Sequence, residues 1–254
     1  MKEIIKLIPF LLLPFILPAQ VKINTTEILR QAELKRMPWA QMSFYATLTD
    51  SSASGKSITA YHVFFKEDKA LVACMDPLAQ KGNLLLLQNR EMWFYFKSTA
   101  QPVKITALQR LSGSVSFVDM AKLNWTSDYS VDSIKSVITS EEKKEVYLLF
   151  LHAVSEKASY RRMNLWVRKK DSRPIKADVY LTSGKLYKTL LFTKYEIIDG
   201  KEINTQVEFT DYFNKNRKTV INFSKAKKEK NLPDHYFLKE NLPGLSKQIE
   251  TLSH

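Results

Sequence analysis

From Ser43 onward, apolar side chains fall on alternate residues. Phe44, Ala46 and Leu48 interleave with Tyr45, Thr47 and Thr49, and Tyr61, Val63 and Phe65 repeat the pattern after a polar turn. A period of two places successive side chains on opposite faces, so these segments are predicted strands. Further runs follow: KALVACM, NLLLLQ, MWFYFK, EVYLLFL, RMNLWVRK, KADVYLT, LYKTLLFTKYEII, INTQVEFTDYF and KTVINFSK, with KDSRP, TSGK, DGKE and NKNRK between the later ones. Short polar turns join strands that run in opposite directions, so the chain reads as an antiparallel meander of about ten or more strands.

The alternation is cleanest near the end of the chain, where Ile203, Val207 and Phe209 oppose Asn204, Gln206, Glu208 and Thr210. One face there is apolar and one is wet. The runs LLLL and MWFYF are apolar on both faces, so that part of the sheet needs a cover on each side. Helical spacing occurs in three places. Asn24, Thr25 and Thr26 offer N-caps for a helix carrying Ile28, Leu29 and Ala32 that should end before Pro38. ITALQRLSG, with Leu108 and Leu111, and SFVDMAKLN, with Phe117, Met120, Ala121 and Leu123, read as two short amphipathic helices. Ser116 three residues before Asp119 forms a capping-box pattern. The tail from Asn231 to His254, with Pro233 and Pro243, reads as a short helix or a loose end. No linker-like stretch or long repeat divides the chain, which implies one domain, mainly β with a minority of helix.

The first residues, MKEIIKLIPFLLLPFILPA, have Lys2 and Lys6 in a short basic start and an apolar stretch from Leu7 to Leu17. This is the pattern of a secretory signal, with cleavage expected after Ala19 and a domain over residues 20–254. Pro9, Pro14 and Pro18 argue against the alternative, an uncleaved membrane anchor. The expected address is exported and periplasmic. The only cysteine, Cys74, lies in an apolar run far from the cleavage point, so the chain is not itself a lipoprotein.

Composition narrows the chemistry. With 44% hydrophobic residues, including 14 Phe, 11 Tyr and 4 Trp, the chain builds a large core. Its net charge of +13 favours anionic partners, and export makes a membrane surface a better one than nucleic acid. Six glycines and one cysteine leave little for phosphate loops or cysteine zinc sites. The GKS at Gly55–Ser57 lacks the upstream glycine of a phosphate loop, since Asp50 stands there. His62, His152, His235 and His254 are far apart and form no metal-ligating pair. No GxSxG elbow presents a serine, and Glu141 and Glu142 sit in a polar turn. The expectation is a protein that is not an enzyme and needs no metal or cofactor.

The stretch from Gly82 to Val131 carries Met92, Trp93 and Tyr95, then Pro102, then Gln109, Arg110, Leu111 and Gly113, then Asp119, and closes on Asp128 and Tyr129. In order and spacing it resembles the outer membrane lipoprotein-sorting family, the LolA-like and LolB-like carriers. Tyr160 to Trp166, Pro174 and Ser183 to Lys185 resemble that family's later strands. The resemblance implies a strongly curved antiparallel sheet, an open half-barrel, with helices in its mouth and a cavity for acyl chains. KSTAQPVK, over Lys97 to Lys104, is less basic than the family's corresponding segment, so a docking role does not carry over.

Cavity candidates are Val63, Phe65, Leu84, Leu86, Phe94, Phe96, Leu148, Phe150, Met163, Leu165, Val207, Phe209, Ile221 and Phe223, with Leu108, Leu111, Phe117 and Met120 as lid residues. A plain sealed core is the competing reading of the same set. The expected function is a carrier that shields acyl chains of a lipoprotein or phospholipid between membranes. The alternative is a periplasmic binding module acting as a fixed partner of an inner-membrane transporter or envelope complex.

Overall fold

The structure, a computed structural model, describes residues 23–52, 55–89, 91–106, 108–121, 124–139, 143, 145–155, 158, 160–214 and 217–251. The expected export signal, Leu123, and the Glu141 and Glu142 turn lie outside these residues.

Helix α1 (Thr25–Leu34) begins at Asn24, whose side chain accepts the Glu27 N–H at 3.0 Å, and stops ahead of Pro38. Six strands follow: β1 (Gln41–Ser52), β2 (Gly55–Lys66), β3 (Lys69–Asp76), β4 (Leu84–Gln88), β5 (Glu91–Phe96) and β6 (Gln101–Ile105). The chain then makes a small hairpin, β7 (Arg110–Ser112) and β8 (Val115–Ser116), and two short helices, α2 (Phe117–Ala121) and α3 (Trp125–Asp128). Seven more strands complete the meander: β9 (Tyr129–Ile138), β10 (Glu145–Ala153), β11 (Arg162–Arg168), β12 (Pro174–Tyr180), β13 (Leu186–Ile198), β14 (Lys201–Asp211) and β15 (Arg217–Lys228).

Thirteen of these strands form one antiparallel sheet in the order β6-β5-β4-β3-β2-β1-β15-β14-β13-β12-β11-β10-β9. The sheet curves without closing into a barrel. Its two runs meet along one seam, where Thr49 of β1 stands opposite Ile58 on one side and Val220 on the other.

Alternation along each strand divides the apolar residues between two faces. The concave face packs against α1, α2 and α3 in one continuous core that takes in Leu29, Phe44, Val63, Trp125, Leu165 and Phe209. Trp125 is fully buried, edge-on to Phe192 at 5.9 Å between ring centres, with the Arg36 guanidinium 4.6 Å from its own ring centre. The end of α1 is tied to the sheet by the Asn204 N–H, which donates to the Lys35 carbonyl at 2.7 Å. Lys35 reaches Glu202 at 2.9 Å, and Arg173 pairs with the same carboxylate.

The convex face of β3–β5 is covered by the C-terminal segment. After two short 3-10 turns, α4 (Leu242–Thr251) brings Leu242, Leu245 and Ile249 down with Leu232 and Phe237 onto Leu71, Leu84, Leu86 and Tyr95. This is the second cover that the LLLL and MWFYF runs require. Ser246 donates to the Gly82 carbonyl at 2.7 Å, and Lys66 donates to the Leu232 carbonyl at 2.9 Å.

One helix expected from the sequence is a hairpin instead. Leu108 lies in a turn and Leu111 on β7, because Gly113 at φ +56° reverses the chain into β8. A turn followed by a strand places two leucines three residues apart just as a helix does, so spacing alone misreads it. The neighbouring helix forms as α2, and one half of the capping box is present: the Ser116 N–H donates to Asp119 at 2.7 Å, while Ser116 Oγ accepts from Lys188.

Candidate functional site

The site is the concave face and what lies in it. Toward the β3–β6 flank is a cavity of about 560 Å³ lined by Tyr61, Val72, Cys74, Leu85, Phe94, Phe96, Ile105, Leu111 and Phe117, with Gln80, Asn83 and Gln109 as its polar members. Next to it a second cavity of about 860 Å³ has an apolar floor of Met37, Trp39, Leu87, Met92, Ile105 and Val118. Charged groups from α1, the β2–β3 turn and β5, among them Arg30, Glu33, Asp68 and Glu91, stand around this second space. Ile105 lines both cavities. A third, of about 50 Å³, lies over the centre of the sheet among Met42, Phe44, Phe65, Phe192, Phe209 and Phe223.

Helix α2 stands where the three spaces meet. Phe117 lines the first, Val118 the second, and Asp119 and Met120 the third. It is held by a polar cluster taken wholly out of water. Lys188 of β13 donates to Asp119 Oδ2 at 2.8 Å and to Ser116 Oγ at 2.6 Å, and the two ionic side chains are 1% and 0% exposed. Tyr160 donates its hydroxyl to Asp119 Oδ1 at 2.7 Å, and its own carbonyl accepts from the Tyr129 hydroxyl at 2.9 Å. Burial beside the Asp119 charge holds the Tyr160 hydroxyl far above the usual tyrosine range. A buried charge is tolerated when it is paired and hydrogen-bonded, and here Asp119 and Lys188 pair with each other and with Tyr160 and Ser116.

The hairpin before α2 is held by a second cluster. Asp50 accepts from Thr219 at 2.8 Å and from Arg217 Nε at 2.8 Å, and the Ser114 N–H donates to Thr219 Oγ1 at 2.7 Å.

Most of the residues expected in the cavity do face the concavity. Val63, Phe65, Met163, Leu165, Val207, Phe209 and Ile221 are buried in its core, with Phe94, Phe223, Leu108 and Leu111 packed against them and Phe117 and Met120 on α2. Phe94, Phe96, Leu111 and Phe117 line the 560 Å³ cavity, and Phe96 is 41% exposed. Four residues are on the other side of the sheet. Leu84 and Leu86 lie under the C-terminal segment, and the inward residue of that run is Leu85. Leu148 and Phe150 also point outward, while Tyr147, Leu149 and Leu151 point in; the Phe150 ring lies 5.4 Å from Lys135 Nζ. Both runs are apolar at every position, so no polar residue marks their parity, and only the register to the neighbouring strands decides it.

The family-pattern residues divide in the same way. Trp93 and Tyr95 pack on the convex face beneath the C-terminal segment. Gln109 accepts from the Thr106 N–H at 2.9 Å and borders the 560 Å³ cavity. Arg110 lies on β7, Gly113 in the hairpin turn, and Asp128 at the end of α3 beside the 860 Å³ cavity. The sequence reading missed the floor of that larger cavity. Met37 and Trp39 come from the connection after α1, which carries no periodicity, and Met92 and Leu87 needed the parity of β4 and β5.

An open, curved antiparallel sheet with helices is the fold of the LolA superfamily. The chain matches a LolA superfamily protein from Nitrosomonas europaea with a TM-score of 0.78 and 26% identity, over 86% of this chain and 99% of that one. An outer membrane lipoprotein-sorting protein domain from Vibrio parahaemolyticus matches at 0.74 and 18% identity, over 86% and 97%. A DUF1329 family protein from Desulfovibrio piger matches at 0.71 and 20% identity, over 85% and 97%. A family model described as "Uncharacterized protein" matches residues 66–243, well over half of the chain, and the chain belongs to that family. No curated protein matches it in sequence. No helix among the described residues is long and apolar enough to cross a membrane.

Proposed function

We propose that this protein is an exported, non-catalytic carrier that shields the acyl chains of a lipoprotein or another lipid in its concave face during transfer toward the outer membrane. The observation that carries the reading is the pair of adjoining cavities, about 560 and 860 Å³, floored by aromatic, leucine and methionine side chains and meeting at Ile105. Spaces of this size and lining hold ligands, and a sealed core has no use for them. Each methylene moved out of water gains about 0.8 kcal/mol, so an acyl chain supplies its own drive into such a site. The lipoprotein-sorting fold of the neighbours from Nitrosomonas and Vibrio supports the same reading. The charge of +13 suits an approach to anionic lipid.

Native mass spectrometry of the exported protein tests the proposal. The expected result is a lipid or lipopeptide bound one per chain, displaced by added fatty acid and rebound after delipidation. A protein that is reproducibly empty and refuses both fatty acid and lipopeptide overturns it. A fixed partner module is then the better reading, and one observation favours that second reading now: over the centre of the sheet only about 50 Å³ is left open by the protein's own side chains.

A further inference from the structure

We infer that the larger cavity selects a lipid whose head carries an ammonium group and turns away one headed by phosphate. The inference rests on the carrier reading and names the chemical class of its cargo.

The mouth of the 860 Å³ space runs against the charge of the whole chain. Among the described residues, five carboxylates and two cations line it, in a protein whose net charge is +13. The carboxylates come from separate parts of the fold: Glu33 from α1, Glu67 and Asp68 from the β2–β3 turn, Glu91 from β5 and Asp128 from the end of α3. Both cations are held by carboxylates, Arg30 by Glu27 at 2.7 Å and Lys104 by Glu91 at 2.6 Å. Glu33 is fixed by neutral donors, the Thr126 N–H at 2.9 Å and the Thr126 hydroxyl at 2.6 Å, which orient the carboxylate without cancelling its charge. Arg36, just past the end of α1, lines the central space instead.

The wall of the same cavity supplies the other half of an ammonium site. Trp39 and Tyr129 both line it, and the Tyr129 hydroxyl is already given to the Tyr160 carbonyl, so what remains of that residue for a ligand is its ring. Aromatic faces attract cations, Trp most strongly, and nearby carboxylates add to the attraction. Met37, Leu87, Met92 and Val118 then receive the chain attached to such a head. The 560 Å³ cavity has no such character. Its polar members, Gln80, Asn83 and Gln109, are uncharged amides, so it accepts a fatty acid as readily as any other chain. Where the two spaces meet at Ile105, a chain can pass from one to the other while its head stays at the acidic mouth.

The arrangement also works by refusal. A carrier that operates beside membranes meets phosphate-headed lipid in excess over any cargo, and burial of the chain alone does not read the head. Like charges brought together at the mouth disfavour the wrong ligand, while the right one gains there. The basic exterior draws the protein to an anionic surface, and the acidic mouth keeps that surface's own lipid out.

The test titrates dodecyltrimethylammonium, dodecyl maltoside and dodecyl phosphate, each below its micelle concentration, into the delipidated full chain at low and at high salt. The ammonium head should bind about tenfold tighter than the maltoside and the phosphate head about tenfold weaker, with both gaps shrinking as salt is added. Glu67→Lys with Asp68→Lys, two changes in an exposed turn, should narrow or reverse that order. Trp39→Leu keeps the floor apolar and should weaken the ammonium head alone. Two palmitoyl peptides, one rich in lysine and one in glutamate, identify the source of the ammonium. A preference for the lysine peptide assigns it to an acylated protein, and a preference confined to the amphiphile assigns it to an amine-headed lipid. Equal affinity for the three heads, or a preference for phosphate, overturns the selection while leaving the carrier standing. A folded turn variant with an unchanged order overturns the role of the acidic mouth. Should that variant not fold, the salt dependence of the unaltered protein decides alone. Refusal of all three amphiphiles overturns the carrier reading, and the selection with it.

Discussion

Gly113 is seated directly on Asp50. A Cβ at this position would stand 2.5 Å from Asp50 Oδ1, and Thr219 is equally close. The backbone is also left-handed there, at φ +56°, a conformation that costs a residue with a side chain about 1–2 kcal/mol. Asp50 has no freedom to retreat, since Arg217 and Thr219 hold it. Gly113→Ala should therefore destabilise the fold by about 2 kcal/mol or more, read as a lower midpoint in urea. A variant of unchanged midpoint would mean that the hairpin is not held against the sheet as described.

Glu202 gives stability a dependence on acid. Its hydrogen bond to Arg173, aided by Lys35, holds its carboxyl at about 2, below the ordinary value of 4.5. A carboxylate with a depressed folded value stabilises the protein above its unfolded value and loses that contribution as pH falls toward the folded one. With the cluster partly exposed to solvent, the effect is about 1 kcal/mol. Unfolding free energies of the unaltered protein and of Glu202→Gln, compared from neutral pH down to about 3, should converge with acid. A constant gap over that range would contradict the assignment.

His62 should stay neutral well into mild acid. It lies between the Tyr45 ring, stacked at 4.2 Å, and the Phe64 ring at 4.1 Å, and desolvation lowers its value to about 4. Because the unfolded chain takes up the proton first, this residue makes the fold less stable as pH drops from about 6.5 toward 4. Imidazole resonances followed by NMR should show no titration of His62 above pH 5, and a midpoint near 6.5 would rule out the desolvated stack.

Cys74 is a built-in reporter for the first cavity. Its side chain lines the 560 Å³ space, and burial pushes the thiol up to about 11, so little thiolate is present at neutral pH. Maleimide labelling of the folded protein should be slow, and saturating palmitate should slow it about tenfold further. An unchanged rate with bound palmitate would put the acyl chain elsewhere.

Period-two alternation was enough to read the strands at Tyr61–Phe65 and Ile203–Phe209 and the inward positions of Tyr61, Val63, Phe65, Val207 and Phe209, but not that Phe64 packs under the C-terminal segment or that Asn204, read as part of the wet face, is buried where α1 meets the sheet. At Leu84–Leu87 and Val146–Leu151 both faces are apolar, for different partners: the C-terminal segment covers the first, and Lys135 and its neighbours flank the second. The strands were legible in both runs and their parity was not. Asp119 was visible through its capping pattern, but its meeting with Lys188 and Tyr160 was not. Those residues come from β13 and from the connection before β11, and only the tertiary fold brings them to one carboxylate. The larger cavity's floor of Met37 and Trp39 left no mark for a related reason, since it depends on how α1 is laid across the sheet.

The seam between Thr49 and Val220 also sets a timetable. The first strand made is completed by the last, and the cover over β3–β5 is the final helix of all. Until β15 and α4 have been made, the N-terminal half keeps an unpaired edge and a bare apolar face, and pairing so distant in sequence is slow to form. A chain with this order of assembly cannot complete its sheet, or cover it, before its last strand and helix are available.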